Sequence, residues 1–269
     1  MQMQPRTETS KRNTPEYLRN LHSYYGAKHV PIEDPEVSSN TRVIVLTPHH
    51  DDVIIGCGGT ICKMAKRGAH IKVIFMTETS YGSTVSPSGP LVRMVHKETE
   101  ETMARLHCYE MDHLDLPSMA MRLDRASERR LLRAIDYYAP DIVFAPWFQD
   151  IHPDNMMTGL ITAHALKEYG SCLTLYSYDV WGGLFPNIMV EITGVMKDKI
   201  AAINVRCQQA RFREGGVRLR ELNSLRLFAT QEERYCEPFL RQEREDFVTM
   251  AERLGVYDPI PSNGRNHES

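Results

Sequence analysis

The sequence predicts an α/β fold: a mostly parallel sheet with helices on both faces and a helical and β extension at the C-terminal end. Three observations carry this expectation. Val43-Ile44-Val45-Leu46 and Asp141-Ile142-Val143-Phe144-Ala145-Pro146-Trp147 are apolar at successive positions, as strands buried on both faces are. Segments of helical period alternate with strand-like runs between and around them, the pattern of a parallel sheet. Each of the two apolar runs also ends in histidine and aspartate, at His49-His50-Asp51-Asp52 and at Asp150-Ile151-His152-Pro153-Asp154-Asn155. Ligands in open α/β sheets bind beyond the carboxyl ends of the strands, where both clusters fall.

Residues 1–40 read as a leader. Thr14-Pro15-Glu16 starts a short helix through Tyr24, while Pro31, Pro35 and Ser38-Ser39-Asn40 make the rest irregular. A single α/β domain is expected over 41–258. After the first strand, Gly56-Cys57-Gly58-Gly59-Thr60 leads into a helix from about Cys57 to Arg67, with Ile61, Met64 and Ala65 on one face. A strand over Ile71–Met76 follows, then a Ser-, Gly- and Pro-rich loop from Thr77 to Pro90, a candidate lid at a strand's carboxyl end. A charged helix over about Val92–His107, a strand near Asp112–Leu116 and a helix over about Ala126–Tyr138 come next. The strand at 141–147 precedes a helix from Met156. Leu173–Val180 and Ile188–Thr193 read as late strands, joined as a hairpin around Pro186-Asn187. The remainder is mainly helical and charged, with a polar tail over 259–269. The succession is Rossmann-like.

At 269 residues, 42% apolar and 25% charged, the chain has ordinary globular composition, which excludes wholesale disorder. A net charge of −3 without a basic block gives nucleic-acid binding no electrostatic support. No run approaches the roughly 20 apolar residues of a membrane span. Met1–Asn13 has no apolar core of a secretory signal, so the cytoplasm is the expected compartment. The six cysteines (Cys57, Cys62, Cys108, Cys172, Cys207, Cys236) lack paired metal spacing and read as buried free thiols. The glycine-rich turn ends in neither a dinucleotide fingerprint nor Gly-Lys-Ser/Thr, so close backbone packing accounts for it better than phosphate binding.

Imidazole and carboxylate are the mixed donor set of a catalytic divalent metal, zinc above all, and a carboxylate held off the metal can accept a proton from water. Taken alone, His and Asp after a strand are also ordinary turn formers. The second cluster, at a second strand end, weights the reading toward a site spanning both strands.

In these motifs the sequence resembles the LmbE-like, or PIG-L, metal-dependent N-deacetylases. The resemblance rests on His49-His50-Asp51-Asp52 with Gly56-Cys57-Gly58-Gly59-Thr60, on His152-Pro153-Asp154-Asn155, and on the weaker echoes Leu114-Asp115-Leu116-Pro117, Phe144-Ala145-Pro146-Trp147, Tyr178-Asp179-Val180-Trp181, Glu191-Ile192-Thr193 and Lys199-Ile200-Ala201-Ala202-Ile203. It covers roughly residues 41–240.

The resemblance implies His49 and Asp52 as metal ligands and Asp51 as general base. His152 would stabilise the oxyanion or protonate the leaving amine, with Asp154 orienting its ring. The family's third ligand, the last His of His-Pro-Asp-His, is Asn155 here. Either Asn155 ligates, or His152 or another side chain completes the set, or the metal is lost. Val53 replaces the family's Glu, and Ser118 stands where an Asp often follows Leu-Pro, a change that bears on substrate choice. Arg93 is a candidate for holding substrate, whereas His96, Glu98 and His164 fit solvated or core positions better.

The expected activity is zinc-dependent removal of an acetyl group from the amide nitrogen of a sugar-like small molecule, with Fe²⁺ as an alternative ion. Neither nucleic acid nor membrane is expected as a partner, and the chain is expected to form a homo-oligomer. A rival reading is a carbohydrate-binding relative that lost its metal at Asn155; another, a nucleotide-binding α/β protein, lacks its phosphate motifs. Asp51 and His152 favour the enzyme, because a binding protein needs neither base nor acid.

Overall fold

The computed structural model describes residues 30–77, 89–206, 215–225 and 234–254. The leader helix, the body of the candidate lid, Cys207 and the polar tail lie outside them. In chain order the elements are β1 (Arg42–Thr47), α1 (His50–Lys66), β2 (His70–Thr77), α2 (Gly89–Arg105), β3 (Glu110–Leu116), α3 (Arg125–Tyr138), β4 (Ile142–Pro146), α4 (Pro153–Glu168), β5 (Thr174–Tyr178), β6 (Ile188–Glu191), α5 (Met196–Arg206), α6 (Gly215–Leu225), β7 (Cys236–Glu243) and α7 (Arg244–Arg253).

The seven strands form one sheet in the order β3-β2-β1-β4-β5-β7-β6. The first five are parallel, and β7 runs antiparallel to both β5 and β6. This is the expected mixed α/β architecture. The expected hairpin between the last two strand candidates is overturned: β7, from the stretch read as helical, lies between β5 and β6 and pairs with each.

Alternate residues of each buried strand feed two cores. Val43, Val45, Phe75 and Phe144 pack on one face with α1, α2 and α5, while Ile44, Leu46, Ile74, Val143 and Ala145 pack on the other with α3, α4 and α7. Strand order reverses direction between β1 and β4, so the crevice at their carboxyl ends is the topological switch point. The two His/Asp clusters follow those two strands.

Three helices begin earlier than the sequence reading placed them: α2 starts at Gly89 rather than near Val92, and the other two bear on the site. α1 starts at His50, not near Cys57, so Asp51 and Asp52 occupy its first turn, where carboxylates favour the positive end of the helix dipole. Two of its glycines are required by close packing: a Cβ on Gly56 would come 2.1 Å from the Tyr178 ring, and one on Gly59 would come 2.7 Å from Ile192. α4 starts at Pro153 rather than Met156, with proline at the position that needs no amide donor.

Residues 31–33 run alongside β6, bridged at Ile32 to Met189, and Asp34 pairs with Lys63 and Arg67 of α1. Cys57, Cys62, Cys108 and Cys236 are buried free thiols, whereas Cys172 is exposed. No helix among the described residues is long and apolar enough to cross a membrane.

Candidate functional site

The loop after β1 is held by hydroxyls at two strand ends. Thr77 Oγ1 donates to the Pro48 carbonyl at 2.7 Å, and Thr47 Oγ1 to the His49 carbonyl at 2.8 Å. His49 is thereby fixed at the N-terminal edge of α1. Its Nδ1 lies 2.9 Å from Asp52 Oδ2, and its Nε2 lies 3.0 Å from Asp154 Oδ2. Ser118 Oγ also donates to that Asp154 oxygen at 2.9 Å, and the Met119 amide donates to Asp154 Oδ1 at 2.8 Å.

The electrostatics follow from this sandwich. Burial pulls the His49 pKa down, but the hydrogen bonds to Asp154 and Asp52 and the charges of Asp52 and Asp51 outweigh it and raise it to about 10. Burial pushes Asp52 up to about 6, with the Asp51 charge adding to it and the His49 hydrogen bond opposing. Burial also works against an ionised Asp154, yet its hydrogen bonds to His49 and Ser118 hold it below the ordinary carboxylate value. A positive charge between two buried carboxylates is what this pocket favours, whether a proton on His49 or a cation supplies it.

Across the crevice, Asp150 organises the loop after β4. Its Oδ1 accepts from the His152 amide at 2.9 Å, and its Oδ2 accepts from the Val180 and Trp181 amides, both at 3.1 Å. One buried carboxylate therefore fixes His152 relative to Trp181, whose ring is exposed and stacked on that of His152 with centroids 6.2 Å apart. His152 Nδ1 accepts the Asp154 amide at 3.2 Å. That bond leaves Nε2 to carry the proton of the neutral ring. The sequence reading placed Asp150 in the second cluster but gave it no role, although Asp150-Ile151-His152 has the spacing of an Asx turn.

One donor atom each from His49, His152 and Asp154 lie within 4.8 Å of one another, close enough to share a metal ion. That trio overlaps the expected ligand set of His49, Asp52 and Asn155 only at His49. Asn155, in the first turn of α4, is fully buried, and neither its Oδ1 nor its Nδ2 has a hydrogen-bond partner among the described residues. An orphaned buried carboxamide costs about 1–3 kcal/mol unless a ligand satisfies it. The residues present thus fit a cation: a histidine between carboxylates, a second imidazole and a free amide oxygen.

The remaining candidates separate. Asp51 is half-buried, acts on His49 and Asp52 through its charge, and makes no hydrogen bond among the described residues. Ser118 is engaged by Asp154, within 3.4 Å of His49 Nε2. Arg93 stands exposed on α2, and none of these hydrogen bonds reaches it. Elsewhere, His113 stacks on Phe75, and Trp147 is fully buried in the core.

A family model described as GlcNAc-PI de-N-acetylase (PIG-L) matches residues 44–166, which span both strand-end clusters. The diacetylchitobiose deacetylase of Thermococcus kodakarensis is 28% identical over 191 residues, 64% of this chain and 71% of that protein. The structure of N,N'-diacetylchitobiose deacetylase from Pyrococcus horikoshii, complexed with its inhibitor MPG, superposes with a TM-score of 0.67 at 25% identity, covering 86% of this chain and 93% of the other. The 4-carboxy-2-hydroxymuconate hydratase of Pseudomonas putida KT2440 also superposes, with a TM-score of 0.64 at 17% identity, covering 75% of this chain and 95% of the other. At that identity the likeness is one of fold, and this fold carries more than one chemistry.

Proposed function

We propose that this chain, which carries a PIG-L domain over residues 44–166, is a metal-assisted N-deacetylase acting on an N-acetylated, sugar-like small molecule. The observation that carries the reading is the convergence of His49, His152 and Asp154, followed along α4 by Asn155, whose buried carboxamide has no partner among the described residues. The substrate class rests on the relatives, which are deacetylases of an N-acetylated disaccharide.

His49, Asp52 and Asn155 would hold the cation, zinc being the best match to imidazole and carboxylate donors. Such an ion supplies Lewis acidity toward an amide carbonyl and lowers the pKa of water. Asp51, half-buried in the first turn of α1 and without a hydrogen bond among the described residues, accepts the proton of the attacking water. His152 presents its Nε2–H to the carbonyl oxygen as negative charge develops there, since Nδ1 is occupied by the Asp154 amide. Asp150 keeps that ring in place, and Trp181 offers a flat apolar wall beside it.

A second reading, favoured by the 4.8 Å convergence, makes His152 and Asp154 the partners of His49 at the cation. The two readings part at His152→Ala. In the first, zinc content is kept and deacetylation falls; in the second, zinc is lost as well. The activity itself is tested by release of acetate from N,N'-diacetylchitobiose, with and without chelator. Activity lost to chelator and restored by zinc is the expected result. Chelator-insensitive turnover overturns the metal, and absence of turnover on any N-acetylated sugar of a panel overturns the reaction.

A further inference from the structure

A second buried polar centre lies at the middle of α1, away from the crevice. Lys199 of α5 and Glu237 of β7 are both fully buried, with Nζ and Oε1 2.6 Å apart. Lys199 Nζ also donates to Asn223 Oδ1 at 3.1 Å and to the Ile55 carbonyl at 3.0 Å. The Glu237 carboxylate accepts the Gly59 amide on Oε1 at 2.8 Å and the Thr60 amide on Oε2 at 2.7 Å. Asn223 Nδ2 closes the network on the Cys236 carbonyl at 2.9 Å.

In a regular α-helix the Gly59 amide bonds the Ile55 carbonyl, and the Thr60 amide bonds the Gly56 carbonyl. Here the donor and the acceptor of one rung are engaged by opposite ends of a single ion pair. Side chains inserted into the backbone ladder bend or offset a helix at that point. The segment before the rung carries Asp51 and Asp52, and its last carbonyl is the one Lys199 grips. The segment after it carries no residue of the candidate site. Gly59 fits the arrangement, since a Cβ there would come 2.7 Å from Ile192.

We propose that Lys199 and Glu237 are positioning residues: their ion pair splices α1 between Ile55 and Gly59 and sets the angle at which Asp51 and Asp52 enter the crevice. The role in turnover rests on the deacetylase reading above, while the splice itself does not. Glu237 is the better handle, because its two oxygens hold two successive amides. An error of about 1 Å in such a group can cost on the order of 10²-fold in rate.

The test uses the full chain and a double variant, Lys199→Met with Glu237→Leu. Exchange of a buried ion pair for apolar residues is often tolerated or stabilising, so this variant is expected to fold. With the pair gone, the regular rungs re-form and the first turn shifts. We expect kcat on N,N'-diacetylchitobiose to fall roughly 10- to 100-fold with KM changed less than about twofold, and zinc to bind about 10-fold more weakly. A folded double variant with wild-type kcat and zinc affinity makes the pair merely structural and overturns the proposal. If wild type itself does not deacetylate, the deacetylase reading fails alone, and zinc affinity decides the splice. Amide signals of Gly59 and Thr60 in wild type give a check independent of any variant's folding: they are expected downfield of the other α1 amides, as charge-assisted bonds place them. Ordinary helical positions for both overturn the splice directly.

Discussion

Asn155 and Asn223 are both fully buried, yet one sits in an open polar centre and the other in a closed one. Asn223 has its Oδ1 on Lys199 and its Nδ2 on the Cys236 carbonyl. Asn155 has neither atom partnered among the described residues. The same side chain thus serves two centres in opposite ways. A satisfied buried network fixes one arrangement of the chain, whereas an unsatisfied buried group calls for a partner, a water or a ligand, from outside the chain. Both centres bear on α1, the closed one at its middle and the open one at its first turn.

The largest expected effect breaks the open centre at its most reactive group. Asp51→Asn keeps the shape of the side chain and removes the proton acceptor, so turnover should fall roughly 10²- to 10⁴-fold with zinc content unchanged. Acetate release and elemental analysis of the same preparation read both quantities. Loss of zinc in this variant would make Asp51 a ligand and exchange the roles given to the two carboxylates.

The comparison itself is measured by truncating each asparagine in turn. Asn155→Ala and Asn223→Ala open cavities of similar size, so the cavity contribution largely cancels between them. Asn223→Ala also leaves the Lys199 ammonium and the Cys236 carbonyl short of a partner, while Asn155→Ala removes two atoms that have none among the described residues. Asn223→Ala should therefore be less stable than Asn155→Ala by on the order of 3 kcal/mol in metal-free protein. Denaturant titration of the two variants checks this. Equal midpoints would mean that Asn155 is as well partnered in solution as Asn223.

Much of this was legible in the sequence where one physical signal dominates. β1 and β4 declare themselves because strands buried on both faces are apolar throughout, and a His/Asp cluster follows each of them. The start of α1 was obscured because its N-cap is His49, which makes no side-chain cap, and because glycines read as loop until Tyr178 and Ile192 are seen against them. α4 is capped by His152, likewise outside the usual set of capping residues. β7 falls in the stretch read as mainly helical and charged. Glu237 is in fact buried against a lysine 38 residues away in sequence. Pairings of that kind follow from topology, and no local pattern announces them.

The smallest expected effect sharpens what the open centre is open to. Asn155→His restores at one backbone position the imidazole that the resemblance leads one to expect. The substituted residue is fully buried in the first turn of α4, one residue from Asp154, whose carboxylate already holds His49. If the carboxamide faces the cation, exchange for a softer nitrogen donor should tighten zinc binding roughly 10- to 100-fold, a range that even changes outside the ligand set reach. Competition with a chromophoric chelator measures it. Turnover need not rise with affinity, because a stronger donor leaves the ion a weaker Lewis acid. An unchanged zinc affinity would turn Asn155 away from the ion. The convergence of His49, His152 and Asp154 would then be the binding set, and the orphaned carboxamide a group reserved for substrate.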